Sequence, residues 1–136
     1  MIRPICRDII LLSQKSAPAG PEDIPIADDL LDTLRANAER CVGMAANMIG
    51  RPVAIIVFRE GETYTEMFNP QLVKAEGKFT AEEGCLSLDG QRTAARYRSI
   101  KVRWQTRAGQ TRIKTFTGWT AQIIQHEMDH CAGIII

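Results

Sequence analysis

The stretch that most constrains this chain is Gln125-His126-Glu127-Met128-Asp129-His130, a His-Glu-x-x-His pattern. On a helix, positions four apart lie on one face, one turn from each other. His126 and His130 then offer two imidazoles to one small cation. Glu127 sits beside His126 on the flank of that face. There a carboxylate is badly placed as a third ligand and well placed to handle the proton of a metal-activated water. The chain has only two histidines, and both are here. The bland alternative is two ordinary surface histidines on a polar helix face.

The helix itself is supported on both sides. Thr117 is expected as its N-cap and Gly133 as its stop. Between them Ala121, Ile124, Met128 and Cys131 recur at helical spacing as an apolar stripe, with the histidines on a different sector.

Ahead of this helix the pattern is mixed. Residues 1–25 carry Pro4, Pro18, Pro21 and Pro25 and read as irregular, with a short helical piece around Asp8–Gln14. A helix is expected from about Ile26 to Cys41. Leu30, Leu31, Leu34 and Ala38 form its stripe, and Asp28 and Asp29 favour its N-terminal dipole. Residues 42–50 read as a small-residue loop, in the bland reading a tight helix exit. Val53–Phe58 is a continuous apolar run fit for a buried strand. Glu60-Gly61 turns the chain into a hairpin partner at Thr63–Phe68. Leu72–Ala75 is a further strand. Ser99–Gln105 alternates, with Ile100, Val102 and Trp104 on one side. Ala108-Gly109 turns it back through Thr111–Thr117. Helix, strands, then helix predicts an α+β fold with a mostly antiparallel sheet.

The chain's 136 residues predict one domain, 1–136. A net charge of +1 gives no basic excess for nucleic acid and no acidic tail for a basic partner. No run approaches the length of a membrane helix. Arg3, Arg7 and Asp8 interrupt the apolar N-terminus, so it lacks a signal peptide's core. A cytoplasmic protein is expected. Its four cysteines form no Cys-x-x-Cys pair and are expected free, with Cys6 and Cys131 as small buried hydrophobes.

Two histidines leave a catalytic metal one protein ligand short of three. Glu82-Glu83-Gly84-Cys85-Leu86-Ser87-Leu88, a segment without strong periodicity, offers the missing one. Cys85 is the best candidate by chemistry, because thiolate and imidazole both suit Fe, Zn or Co. A carboxylate from Glu82, Glu83 or Asp129 would instead give a zincin-like protease. A nucleophilic Cys–His pair is a third reading, in which Glu127 has no role.

Glu83-Gly84-Cys85-Leu86-Ser87 and Gln125-His126-Glu127-x-Asp129-His130 together resemble the motifs of the peptide deformylase family. Gly43-Met44-Ala45-Ala46 resembles that family's first motif, Gly-x-Gly-Leu-Ala-Ala-x-Gln. The resemblance implies sheets packed around a central metal-binding helix, and removal of the formyl group from N-formyl-methionyl peptides. It implies Cys85, His126 and His130 as ligands of one divalent ion. Fe²⁺ is the usual native ion, and Zn²⁺ or Co²⁺ can replace it. It implies Glu127 as proton carrier, the Leu86 N–H as oxyanion donor, and a substrate backbone that pairs as an added strand near Gly43. Asp129 either orients a ligand imidazole or forms a structural salt bridge.

Two positions depart from the family's first motif. Its first glycine is Cys41, and its terminal glutamine, a donor to the formyl oxygen, is Met48, which has no donor. The expected function is therefore either an active deformylase or a deformylase-like metal-binding protein with weak activity, a different acyl substrate or peptide binding only. The ribosome docking of family members with a C-terminal helix is not assumed here. The closing isoleucines are expected to add a short strand or pack on the core.

Overall fold

The computed structural model describes residues Met1–Ile136. Three helices, α1 (Ile9–Leu12), α2 (Ile24–Ala36) and α3 (Gly118–Cys131), accompany one sheet. Its strands are β1 (Gly43–Ala45), β2 (Ile55–Glu60), β3 (Thr63–Cys85), β4 (Leu88–Gln105) and β5 (Thr111–Thr117). The strands follow chain order β1-β2-β3-β4-β5, and every pairing is antiparallel. The fold is therefore α+β, as the sequence predicts.

The apolar run of β2 has a structural reason. Ile56 and Phe58 pack with Ile123 and Ile124 of α3, while Ile55 and Val57 pack with Leu30 and Leu34 of α2. Successive side chains of a strand face opposite ways, so a strand sandwiched between two helices must be apolar at every position. Burying each such side chain contributes about 1.5–3 kcal/mol. This anchors three-residue β1, which pairs with β2 through Gly43↔Phe58, Met44↔Val57 and Ala45↔Ile56.

Helix α3 lies in the middle of the molecule, packed against β1, β2, β4 and β5. It is buried well beyond its apolar stripe: Gln125, His126, Glu127 and His130 are buried too. Gln125 clamps it to β4, accepting from the Tyr97 N–H and donating to the Tyr97 carbonyl, each at 2.8 Å. Thr117 is the N-cap residue but makes no side-chain cap bond. Gly133 ends the helix at φ 77°.

Several expectations are corrected. Helix α2 starts at Ile24 and stops at Ala36, not Cys41, because the Asn37 amide turns back to the Thr33 carbonyl at 2.8 Å. Asp28 and Asp29 lie beyond its first turn and bind Arg107 and Arg3 instead. Residues 42–50 are not a loop: they form β1 and a 3₁₀ turn, Ala46–Ile49. The pieces 63–68, 72–75 and 82–85 belong to one strand, β3, of 23 residues. Its register against β4 shifts between Phe68 and Gln71, between Leu72 and Lys74, and at Gly84/Cys85. Ile136 is buried, but the terminal isoleucines add no strand. No helix is long and apolar enough to cross a membrane.

Candidate metal centre

Two elements converge on one point. Helix α3 presents His126 and His130 one turn apart, and the end of β3 presents Cys85. The ligand atoms of Cys85, His126 and His130 all lie within 4.8 Å of one another. Cys85 Sγ is 3.2 Å from His130 Nε2, which is 3.2 Å from His126 Nε2. Two nitrogens bound about 2.0–2.1 Å from one tetrahedral ion stand about 3.3–3.4 Å apart. The donor set thus has the spacing, softness and open side that a catalytic transition-metal ion requires.

Electrostatics point the same way. Burial opposes charge on His126, yet bonds from Cys85 and Glu83 outweigh it and pull its pKa up to about 10. Burial and the neighbouring His126 push His130 down to about 3. A cation held between the two rings would relieve the repulsion between His126 and His130.

The imidazole of His126 is oriented from behind. Its Nδ1 lies 2.8 Å from Glu83 Oε1. Glu83 also accepts from Arg96 Nη2 at 2.6 Å and Gln122 Nε2 at 2.8 Å. Arg96, itself buried, binds Asp129 at 2.7 Å on its other side. Burial works to raise the Glu83 carboxyl, but bonds from His126, Arg96 and Gln122 win and hold it at about 2. Asp129 therefore forms the salt bridge of its two expected roles. The carboxylate that orients an imidazole is Glu83, which the sequence offered only as an alternative metal ligand.

Glu127 reaches the site from the flank of α3. Its Oε1 is buried without a partner, and burial pushes its carboxyl up to about 7. Such a group gives and takes protons near neutral pH. Its neighbour across the gap is Gly43. A Cβ there would stand 2.8 Å from Ile123 Cγ2 and 3.0 Å from Glu127 Oε2. Only a glycine lets β1 approach the helix this closely.

A cavity of about 810 Å³ opens over these groups, bordered by Cys41, Gly43, Met48, Cys85, Leu86 and Glu127. The Leu86 N–H lies in the turn after β3 and has no partner within the chain. Met48 is 1% exposed, and its Sδ accepts from the Ala45 N–H at 3.4 Å. Asn47, the nearest amide that would replace the missing glutamine donor, is committed elsewhere: its Nδ2 donates to the His130 carbonyl at 2.9 Å. Cys41 donates to the Gly43 carbonyl at 2.8 Å, and burial pushes its thiol up to about 12. Cys6 and Cys131 are only partly buried, not core residues, and all four cysteines are free.

Gly43, Met48, Cys85, Leu86, His126 and Glu127 thus border one cavity, and His130 joins Cys85 and His126 beside it, whereas Glu82 is exposed and lies outside it. Glu83 and Arg96 were missed in their present roles. Glu83 had a signal: on a strand, residues two apart share a face, so Glu83 points the way Cys85 points. Arg96 had none, because its partners lie 13 and 33 residues away.

The polypeptide deformylase family model matches residues 7–136. The peptide deformylase of Clostridium beijerinckii is 52% identical over 136 residues, all of both chains. That of Heliobacterium modesticaldum is 38% identical over 111 residues, 81% of this chain and 72% of its own. The crystal structure of a peptide deformylase from Legionella pneumophila superposes with a TM-score of 0.88 at 29% identity, covering 99% of this chain and 83% of that one. A family match across nearly the whole sequence and a relative identical at more than half its positions carry one conclusion: this chain belongs to the peptide deformylase family.

Proposed function

We propose that this chain is a metal-dependent peptide deformylase, a hydrolase that removes the formyl group from N-formyl-methionyl peptides of nascent proteins. The observation that carries the residue roles is the convergence of three ligand atoms beside a buried, unpartnered Glu127 carboxylate oxygen. Cys85, His126 and His130 hold the ion. Fe²⁺ is the resident ion and Zn²⁺ or Co²⁺ substitutes for it, since one thiolate with two imidazoles suits all three. When bound, the ion supplies Lewis-acid activation of water and of the formyl carbonyl.

The chain supplies the rest. The open edge of β1 at Gly43 takes the peptide backbone as an added strand. The formyl carbonyl then lies toward Cys85, between Glu127 and the Leu86 N–H. Glu127 accepts the proton of the attacking water. The Leu86 N–H donates to the formyl oxygen as it gains charge, a contribution worth roughly 3–4 kcal/mol for one such donor. The carbon–nitrogen bond breaks, Glu127 returns a proton to the departing amine, and formate and a methionyl peptide leave. Glu83 keeps the His126 ring in place throughout.

The test is formate release from formyl-Met-Ala-Ser by protein loaded with Fe²⁺ under anaerobic conditions. Metal analysis should give one ion per chain and strong loss in Cys85→Ala. Glu127→Ala should keep the ion and lose turnover. Unchanged metal content in Cys85→Ala, or full activity in Glu127→Ala, overturns these assignments.

A further inference from the structure

Strand β1 is the edge of the sheet, and its free side borders the catalytic cavity. The Arg59 N–H donates to the Val42 carbonyl at 2.8 Å. That bond makes Val42↔Arg59 a hydrogen-bonded pair. In an antiparallel ladder the next pair along, Gly43↔Phe58, is then a non-bonded one. The polar groups of Gly43 and Ala45 therefore point away from β2, and of these two residues Gly43 borders the cavity. Those are the groups an added peptide strand would use.

Two of them are already engaged, each by sulfur. The Cys41 thiol donates to the Gly43 carbonyl at 2.8 Å. The Ala45 N–H donates to Met48 Sδ at 3.4 Å. Both sulfurs stand where the chain departs from the resembled motif, and both border the cavity with Cys85 and Glu127. A thiol is a weak donor and a thioether a weak acceptor, so such bonds are readily exchanged for peptide ones. Burial keeps the Cys41 thiol protonated, hence a donor, at neutral pH.

We propose that Cys41 sets the affinity of the substrate groove: its thiol caps the Gly43 carbonyl, the acceptor a peptide strand needs, so that substrate binds only by displacing or sharing that bond. This rests on the deformylase reading above. The cap shields an exposed strand edge in the free enzyme and weakens the binding of every peptide by the strength of one neutral hydrogen bond, roughly three- to tenfold.

Cys41→Ala, Cys41→Gly and Cys41→Ser should be compared with the unaltered enzyme at equal metal occupancy. Calorimetry measures the affinity for the product peptide Met-Ala-Ser, and formate release gives KM and kcat for formyl-Met-Ala-Ser. Ala and Gly should tighten Met-Ala-Ser binding and lower KM, each by roughly three- to tenfold. Ser, which keeps a donor, should bind as weakly as Cys or more weakly. Equal Kd and KM in all four proteins overturns the proposal. So does a shift of the same size in Ser and Ala, which would report volume rather than capping. The Gly variant keeps the test decisive if Ala misfolds. Absence of formate release from every protein, the unaltered one included, would instead sink the deformylase reading itself.

Discussion

Glu83→Gln tests whether the centre depends on its buried charge network. The substitution keeps shape and removes one negative charge. In the structure Glu83 accepts from His126 Nδ1 at 2.8 Å, from Arg96 Nη2 at 2.6 Å and from Gln122 at 2.8 Å. Glutamine has one acceptor oxygen and must turn an NH₂ group toward one of these donors. Arg96, whose side chain is 3% exposed, then keeps only one charged partner, Asp129, which is 28% exposed, besides the Ala95 carbonyl. Removing one partner of a buried ion pair costs about 3–5 kcal/mol. The carboxyl, held at about 2 against the opposing effect of burial by His126, Arg96 and Gln122, agrees in direction: the fold prefers its charged form. The same change frees the His126 ring, for which a loss of about 10–100-fold in metal affinity is typical. Urea unfolding of the metal-free protein reads the first effect, and chelator competition for Zn²⁺ reads the second. The double substitution Glu83→Leu/Arg96→Met separates them. It should recover much of the stability, since neither member of the Glu83–Arg96 pair is left buried without its partner, without recovering metal affinity. If Glu83→Gln stays within about 1 kcal/mol of the unaltered protein and binds Zn²⁺ equally well, the reasoning fails; 1 kcal/mol is the scale of an exposed pair.

Three further outcomes are expected. Glu83 is depressed in the folded chain, so its stabilisation is present above about 4.5 and lost as pH falls toward about 2; acid unfolding should shift less with pH in Glu83→Gln across that window. Met48→Gln restores a donor beside the formyl site and should raise kcat by roughly tenfold or more, less than the full factor of about 10²–10³ of an oxyanion donor because the ion already carries much of the charge; unchanged or lower kcat/KM marks Met48 as packing or as part of an altered specificity. Gly43→Ala would press a methyl against Ile123 at 2.8 Å and Glu127 at 3.0 Å, costing about 1–3 kcal/mol in thermal unfolding and lowering kcat while the ion is retained; normal turnover would show that Glu127 has room to move.

Much of the centre was legible because its chemistry is written locally. His126, Glu127 and His130 sit within one helical turn, and helical spacing is the strongest pattern a sequence carries. The alternation of Ile100, Val102 and Trp104 placed β4 against the core for the same reason. What was not legible depended on distance or on broken periodicity. Lys74, Glu76 and Lys78 are exposed, and the register shifts break the alternation, so β3 read as fragments. With it went the shared face of Glu83 and Cys85. The end of α2 was misplaced because Ala38 and Cys41 prolong its apolar pattern, while a single Asn37 side-chain bond decides the stop.

The register shifts of β3 carry one more consequence, for insertions and deletions. Against β4, the steps Phe68/Gln71 and Leu72/Lys74 each accommodate one extra residue of β3. One extra residue inverts the in-and-out phase of everything downstream, and a second restores it. Met67 and Ala75 accordingly meet the same core cluster although two surplus residues lie between them. The pair works like two frameshifts that cancel. Loss of either surplus residue alone would turn Glu83 and Cys85 outward, separating the thiolate from both imidazoles without altering a single residue of the centre. Loss of both would shorten the ribbon and leave the phase intact. Length in this stretch is therefore constrained in steps of two, even where its side chains are free to vary.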